Sequence, residues 1–202
     1  MVTDTGRISD RLAIANLMTG WIHRDLQNWD ALLDLFAPDA TIEITWFHGL
    51  ARAFIDGSRR VGAGALRTKH LITTPVITFS PTHPERAFVE TNAAIIPEHS
   101  ELRLSATTYN RFLDRVVRCD DGRWRIARRD SSYDIGHVTY PLGVEAATPV
   151  DRDAMTRFPI EHASLAYLLD AAGFPVTGTF PTRGSDLEAE IRRSGPAWLD
   201  ED

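Results

Sequence analysis

Asp25 and His70 are the residues whose types and surroundings could do chemistry together. Ser9 or Asp10 can cap a helix in which Ile14, Leu17, Met18, Trp21 and Ile22 recur at helical spacing. At 100° per residue Asp25 falls roughly 20° from Ile14, within the apolar stripe and not on the polar side. A carboxylate there costs several kcal/mol unless it has a partner, on the order of other buried unpaired charges. His70 opens the strand-like run His70-Leu-Ile-Thr-Thr-Pro-Val-Ile-Thr and is the candidate partner. An Asp–His pair makes a general base: the carboxylate fixes the imidazole tautomer and stabilises the imidazolium formed when the ring takes a proton. On the residues alone two bland readings stay open, an acid bonded near a helix end and a structural histidine at a strand start.

Other polar and aromatic side chains are candidates to contact a substrate. Trp21 lies on the apolar stripe and Arg24 at its edge, where a guanidinium would be a cationic donor. Trp46 and His48 share a strand face by two-residue alternation, Asn92 stands on an otherwise apolar or small strand, and Tyr109 and Tyr133 sit in late strands. No glycine-rich phosphate loop, His-x-x-x-His pair or acidic cluster is present, so neither metal nor other cofactor is expected. The single cysteine, Cys119, precedes a turn at Asp120-Asp121-Gly122 and provides neither a disulfide nor a metal cage.

The elements that must position these residues change character along the chain. After the first helix, Gln27 or Asn28 breaks the pattern, and Trp29, Leu32, Leu33 and Phe36 give a second short helix stopped near Pro38-Asp39. Residues 41–48 read as a strand, and Ala51–Arg60 as a third helix loosened by Gly62 and Gly64. Strands are expected near 70–80, 86–96, 101–118 and 123–135, joined by tight turns as an antiparallel meander. Helices first and strands later indicate an α+β fold, a cone-shaped curved antiparallel sheet wrapped by N-terminal helices around a small-molecule cavity. Residues 1–140 form this domain. Residues 141–202, with loop-like 141–157, a helix over 158–172 and a short helix near 185–193, are a C-terminal extension too small for its own core. That extension packs on the same domain or on a neighbouring subunit.

The order and spacing of three segments resemble the SnoaL-like branch of the nuclear transport factor 2-like superfamily. They are the first helix through "NWDALLDLFAPDATIEITW", "KHLITTPVI", and the closing hairpin "DRVVRCDDGRWRIARRDSSYD", within residues 8–140. That group includes scytalone dehydratase, hexachlorocyclohexane dehydrochlorinase, polyketide cyclases, ketosteroid isomerase-like enzymes and the small subunits of ring-hydroxylating dioxygenases. The resemblance implies that Asp25 and His70 stand where the dehydratase and the dehydrochlorinase carry a proton-abstracting Asp–His dyad. It implies a departure too: Arg24 and Trp46 occupy the places of two tyrosines that hold a water against the dehydratase substrate, and the second histidine of that enzyme maps near Glu98-His99. Dimers or trimers are implied as well, and the convex face of a curved sheet needs cover.

Composition limits the partners. The 202 residues carry 22 Lys and Arg against 28 Asp and Glu, a net charge of −6, with Lys69 the single lysine, which disfavours nucleic acid. The arginines from Arg111 to Arg129 alternate with acids or apolar residues and read mostly as a solvated strand face. With no signal-peptide pattern at the N-terminus and no run of about 18 apolar residues, a cytoplasmic protein with no membrane partner is expected. The expected function is that of a cofactor-independent lyase, dehydratase-like, or isomerase acting on a hydrophobic, aromatic or polycyclic small molecule. The alternatives are a non-catalytic small-molecule-binding protein and a structural subunit like the dioxygenase small subunit.

Overall fold

Apolar residues at helical spacing form α1 (Ile8–Thr19), which buries Ile14, Leu17 and Met18. The computed structural model describes residues 5–62, 64–141 and 149–201. The helix expected to run on to Asp25 is interrupted at Gly20-Trp21 and resumes as the single turn α2 (Ile22–Asp25). It stops because Gln27 takes a left-handed φ of 56°, which no continuing helix accommodates. A third short helix, α3 (Trp29–Leu33), follows.

The strands are β1 (Phe36–Ile44), β2 (Phe47–Leu50), β3 (Leu66–Ile72), β4 (Val76–Phe79), β5 (Arg86–His99), β6 (Leu104–Arg118) and β7 (Trp124–Thr139), with helix α4 (Ala51–Gly62) after β2. They form one seven-stranded sheet in the order β2-β1-β7-β6-β5-β3, with β4 also paired to β5. The sheet is mixed, not wholly antiparallel as the meander pattern suggested, because β1 runs parallel to β7. Pro38, expected to end a helix, instead lies inside β1. The β1–β7 register shifts between Phe36 and Thr41, so the proline sits where the ladder is already interrupted. The strand expected over 70–80 is two strands: Thr73–Pro75 breaks it, and β3 pairs with Ala93–His99 of β5 while β4 pairs with Ala87–Glu90.

The curled half-barrel holds its core on the concave face. α1, Trp21 and Phe54 and Ile55 of α4 pack there against Ile42, Val89, Ala93, Phe112, Val116 and Ile126. The C-terminal segment adds α5 (Arg152–Met155), α6 (Ala163–Ala171) and α7 (Asp186–Ala197). Of the loop expected at 141–157, residues 142–148 lie outside the described residues. The helix expected from Phe158 begins at Ala163, beyond Pro159. α6 closes the other end of the concave face, with Leu165, Leu168 and Leu169 against Ile95, Leu104, Ala106 and Tyr133. Gly136 permits that approach, since a Cβ there would stand 2.7 Å from Ser164 Oγ and 3.1 Å from the Glu161 carbonyl oxygen. α7 starts at Ser185, whose hydroxyl accepts the Glu188 backbone N–H, and the segment it leads into covers Phe88 and Leu113 on the convex face with Leu199.

The arginine-rich strands are not one solvated face. Arg129 is 1% exposed and makes a bidentate pair with Asp114, Nε and Nη2 each donating at 2.8 Å to one carboxylate oxygen. Its guanidinium carbon lies 4.1 Å from the Phe112 ring centroid and 4.5 Å from that of Trp21. Arg111 is held by Asp134 and by Glu188 of α7, which clamps the C-terminal segment to the sheet. Asp114→Ala would leave the Arg129 charge buried and unpaired, so it should destabilise the protein by about 3–5 kcal/mol in urea unfolding. Replacing both partners by apolar residues should cost markedly less; equal losses would show that the pair is not what makes the single change harmful.

Candidate active site

Two elements distant in sequence meet where α2 ends and β3 passes over it. The Asp25 side chain is 5% exposed and the His70 side chain 8%. Asp25 Oδ2 accepts the His70 backbone N–H at 2.8 Å, and Oδ1 lies 2.5 Å from His70 Nδ1. The two bonds grip both the strand and the ring, so the carboxylate sets the position and the rotation of the imidazole. Lys69 Nζ stands 3.8 Å from Oδ2, on the solvent side.

Burial by itself would raise the Asp25 pKa, but the hydrogen bond and charge of His70, with Lys69 behind, hold the carboxyl below its ordinary 3.8. For His70 burial is the strongest influence and favours the neutral ring. Asp25 pulls upward, the Arg24 and Arg129 guanidiniums push down, and the net pKa lies below 6.5. The pair is therefore a carboxylate and a neutral imidazole at neutral pH. Nδ1–H donates to Asp25, and Nε2 keeps its lone pair, the state a general base requires.

His70 lines a cavity of about 40 Å³ whose wall includes Trp21, Arg24, Trp46, Phe112 and Tyr133, with Leu165 and Leu169 of α6 across the end. Trp46 is placed by the helix beneath it: a Cβ on Gly57 would fall 2.8 Å from the indole. Tyr133 is anchored through its hydroxyl, which meets the Thr45 backbone N–H at 2.9 Å and bonds the Thr45 hydroxyl. Behind the dyad a polar cleft of about 440 Å³ opens among Arg24, Asp25, Gln27, Arg67 and Thr68. Arg24 and Thr68 belong to both walls.

Of the candidate side chains, Trp21, Arg24, Trp46, Asp25 and His70 come together at the cavity or its cleft; His48, Asn92 and Tyr109 do not. His48 belongs to β2, across the turn from Trp46, so alternation does not carry from one to the other. Its ring is exposed, 3.3 Å from Glu43. Asn92 is exposed, paired with Arg111 on the convex face, between the buried Thr91 and Ala93. Tyr109 is 46% exposed on that face, opposite Ile135. His99, the candidate for a second histidine, accepts the Leu102 backbone N–H at 3.3 Å and stands outside the cavity wall. Sequence reasoning missed Phe54, Phe112 and the two leucines of α6. Parity with Phe112 would have turned Tyr109 outward, whereas nothing in the sequence announces that α6 folds back onto the cavity. Among the described residues no three His, Cys, Asp or Glu side chains gather as a metal set.

Comparison with known proteins agrees with this architecture. The family model of the SnoaL-like domain matches residues 6–130. A scytalone dehydratase-like protein of Novosphingobium aromaticivorans is 26% identical and superimposes with a TM-score of 0.56, covering 75% of this chain and 99% of its own. The LinA structure, 20% identical, covers 72% of this chain and 99% of its own with a TM-score of 0.59. Hexachlorocyclohexane dehydrochlorinase LinA-type3 from Novosphingobium barchaimii, 16% identical with a TM-score of 0.54, covers 73% and 100%. No curated protein matches the chain significantly.

The electrostatics give a direct check. The unfolded chain takes a proton on His70 at 6.5 and the folded one only at lower pH. The stability contributed by this group is therefore complete above pH 6.5 and is lost as pH falls through the folded pKa. NMR titration of the imidazole should give a value under 6.5 in the native protein. Asp25→Asn, which removes the strongest upward influence, should lower it further; a rise in that variant would contradict the assignment of the forces.

Proposed function

The chain belongs to the SnoaL-like domain family, and on that premise we propose that it is a cofactor-independent lyase or isomerase in which His70 takes a proton from a carbon-bound hydrogen of a small, largely apolar molecule. The observation that carries the reading is the Asp25–His70 pair: buried, bonded through both carboxylate oxygens, and holding a neutral ring at a cavity wall. A carrier protein or a structural subunit has no need of a buried, oriented base.

In this reading Asp25 orients the ring and stabilises the imidazolium, while Nε2 accepts the proton. The new electron pair on carbon then expels a leaving group, in an elimination, or shifts a double bond, in an isomerisation, and His70 returns the proton to the leaving group, to another carbon or to water. Trp21 and Trp46 supply apolar contact for the substrate. A fused ring system exceeds the closed cavity, so such a substrate engages it by its reacting end or displaces Leu165 and Leu169 of α6. The resemblance of the fold to a scytalone dehydratase-like protein and to dehydrochlorinases supports elimination.

His70→Ala should lower the rate by about 10²- to 10⁴-fold, the usual worth of a general base. Asp25→Asn should leave a folded protein with damaged turnover, because the amide can favour the wrong tautomer. The opposite ranking, with His70→Ala costing stability and Asp25→Asn leaving activity intact, would mark His70 as structural. We also propose that the protein assembles as a dimer or trimer. Leu71, Ala94, Tyr109 and Ile135 pair in a row across four strands, and all but Ala94 are exposed. Light scattering at micromolar concentration should exceed the 22.6 kDa of one chain, and a clean monomer would overturn this assembly.

A further inference from the structure

The wall between the cavity and the outer cleft holds a charge without a counter-charge. Arg24 is 6% exposed, yet among the described residues its guanidinium has no hydrogen-bond acceptor and no ion-pair carboxylate within reach. The Trp29 ring lies 5.8 Å away, at the outer limit of a cation–π contact. The adjacent Asp25 attracts Arg24 by charge but makes no hydrogen bond to it. Burial so disfavours the cation that its pKa is lowered to about 10, which still leaves it charged at neutral pH. A second donor in the cavity wall is also unmatched: the buried Trp21 indole N–H has no partner among the described residues. Arg67 and Thr68 border the outer cleft with Arg24, and Lys69 stands on the solvent side of Asp25.

The buried Trp21 indole N–H without an acceptor is costly, and a guanidinium with no counter-charge at the edge of a cleft is met otherwise only by solvent, so both are completed by a ligand that brings acceptors. We propose that Arg24 anchors an organic anion: the substrate is a carboxylate-bearing molecule whose acid group sits on Arg24, at the junction of cleft and cavity, while its apolar part faces His70. A planar guanidinium suits a carboxylate better than a lone carbonyl, since it can donate two parallel hydrogen bonds to it. This rests on the proposed role of the site and narrows its substrate class. On a protein of net charge −6, Arg24 and Arg67 line this opening against the one carboxylate of Asp25, with Lys69 beside that carboxylate, and give it a local positive character.

The test uses benzoate and its neutral isostere benzamide, followed by isothermal titration calorimetry on the full-length protein. Wild type should bind benzoate at least tenfold more tightly than benzamide, and Arg24→Gln should lose at least tenfold in benzoate affinity while its benzamide affinity stays the same. Arg24→Met, which removes the unpaired charge, should melt at a higher temperature than wild type without ligand; a purely structural arginine would give a lower melting temperature. Equal binding of the two probes, binding of neither, or benzoate affinity unchanged in Arg24→Gln would overturn the anion site. The benzoate–benzamide comparison stands on wild type alone, so it holds even where a variant fails to fold. His70→Ala should keep the preference for benzoate over benzamide. An inactive protein that still discriminates the probes defeats the base and leaves the anion site standing; turnover of neutral compounds with no discrimination does the reverse.

Discussion

One carboxylate ties the structure to its chemistry. Asp25 sits in the last residue of a single helical turn and spends both oxygens on one residue of a distant strand. The bond to the His70 backbone fixes where β3 crosses the helices, and the bond to Nδ1 fixes how the ring is turned. Asp25 is held as a carboxylate because both oxygens are bonded and Lys69 stands beside them, and His70 is neutral there because burial outweighs the attraction of Asp25. Position and tautomer of the ring thus follow from a single pair, and its charge state from the burial around it.

The concave face around this pair holds buried charge: Arg24, Asp114 and Arg129. Asp114 and Arg129 cancel each other beneath Trp21, with the guanidinium against the Trp21 and Phe112 rings, which also touch each other. Together with Arg24, Arg129 keeps His70 from taking a proton too readily. Phe54, Trp46 and Phe112 pack around the cavity, and the leucines of α6 close its end. Low effective dielectric strengthens every interaction of the dyad and raises the cost of leaving any polar group unmatched.

Local patterns made the outline of the fold legible. The 3.6-residue period showed the first helix and put Asp25 on its inner side, even though the helix breaks at Gly20-Trp21 and Asp25 belongs to a separate turn. The β-branched run after His70 showed extended chain but not its bounds, since β3 starts at Leu66 and ends at Ile72, and the long strands were separated where expected except that β5 runs on through Pro97–His99. Non-local pairing was not legible. The parallel β1–β7 contact, the hairpin that separates His48 from Trp46, and the outward direction of Asn92 and Tyr109 depend on register, which alternation within one strand does not determine. Arg129 looked like one more solvated arginine because its partner Asp114 lies on the neighbouring strand. The cavity's small size was hidden for the same reason, since it depends on where α6 returns to the sheet.

The central claim is that the native His70 is a neutral imidazole protonated on Nδ1, with Nε2 free to accept a proton. Nitrogen-15 chemical shifts of the His70 ring at pH 7 test it without knowledge of the substrate. The account predicts a protonated Nδ1 and an unprotonated Nε2 in wild type. A ring protonated on Nε2 alone, or a doubly protonated imidazolium at that pH, would contradict it.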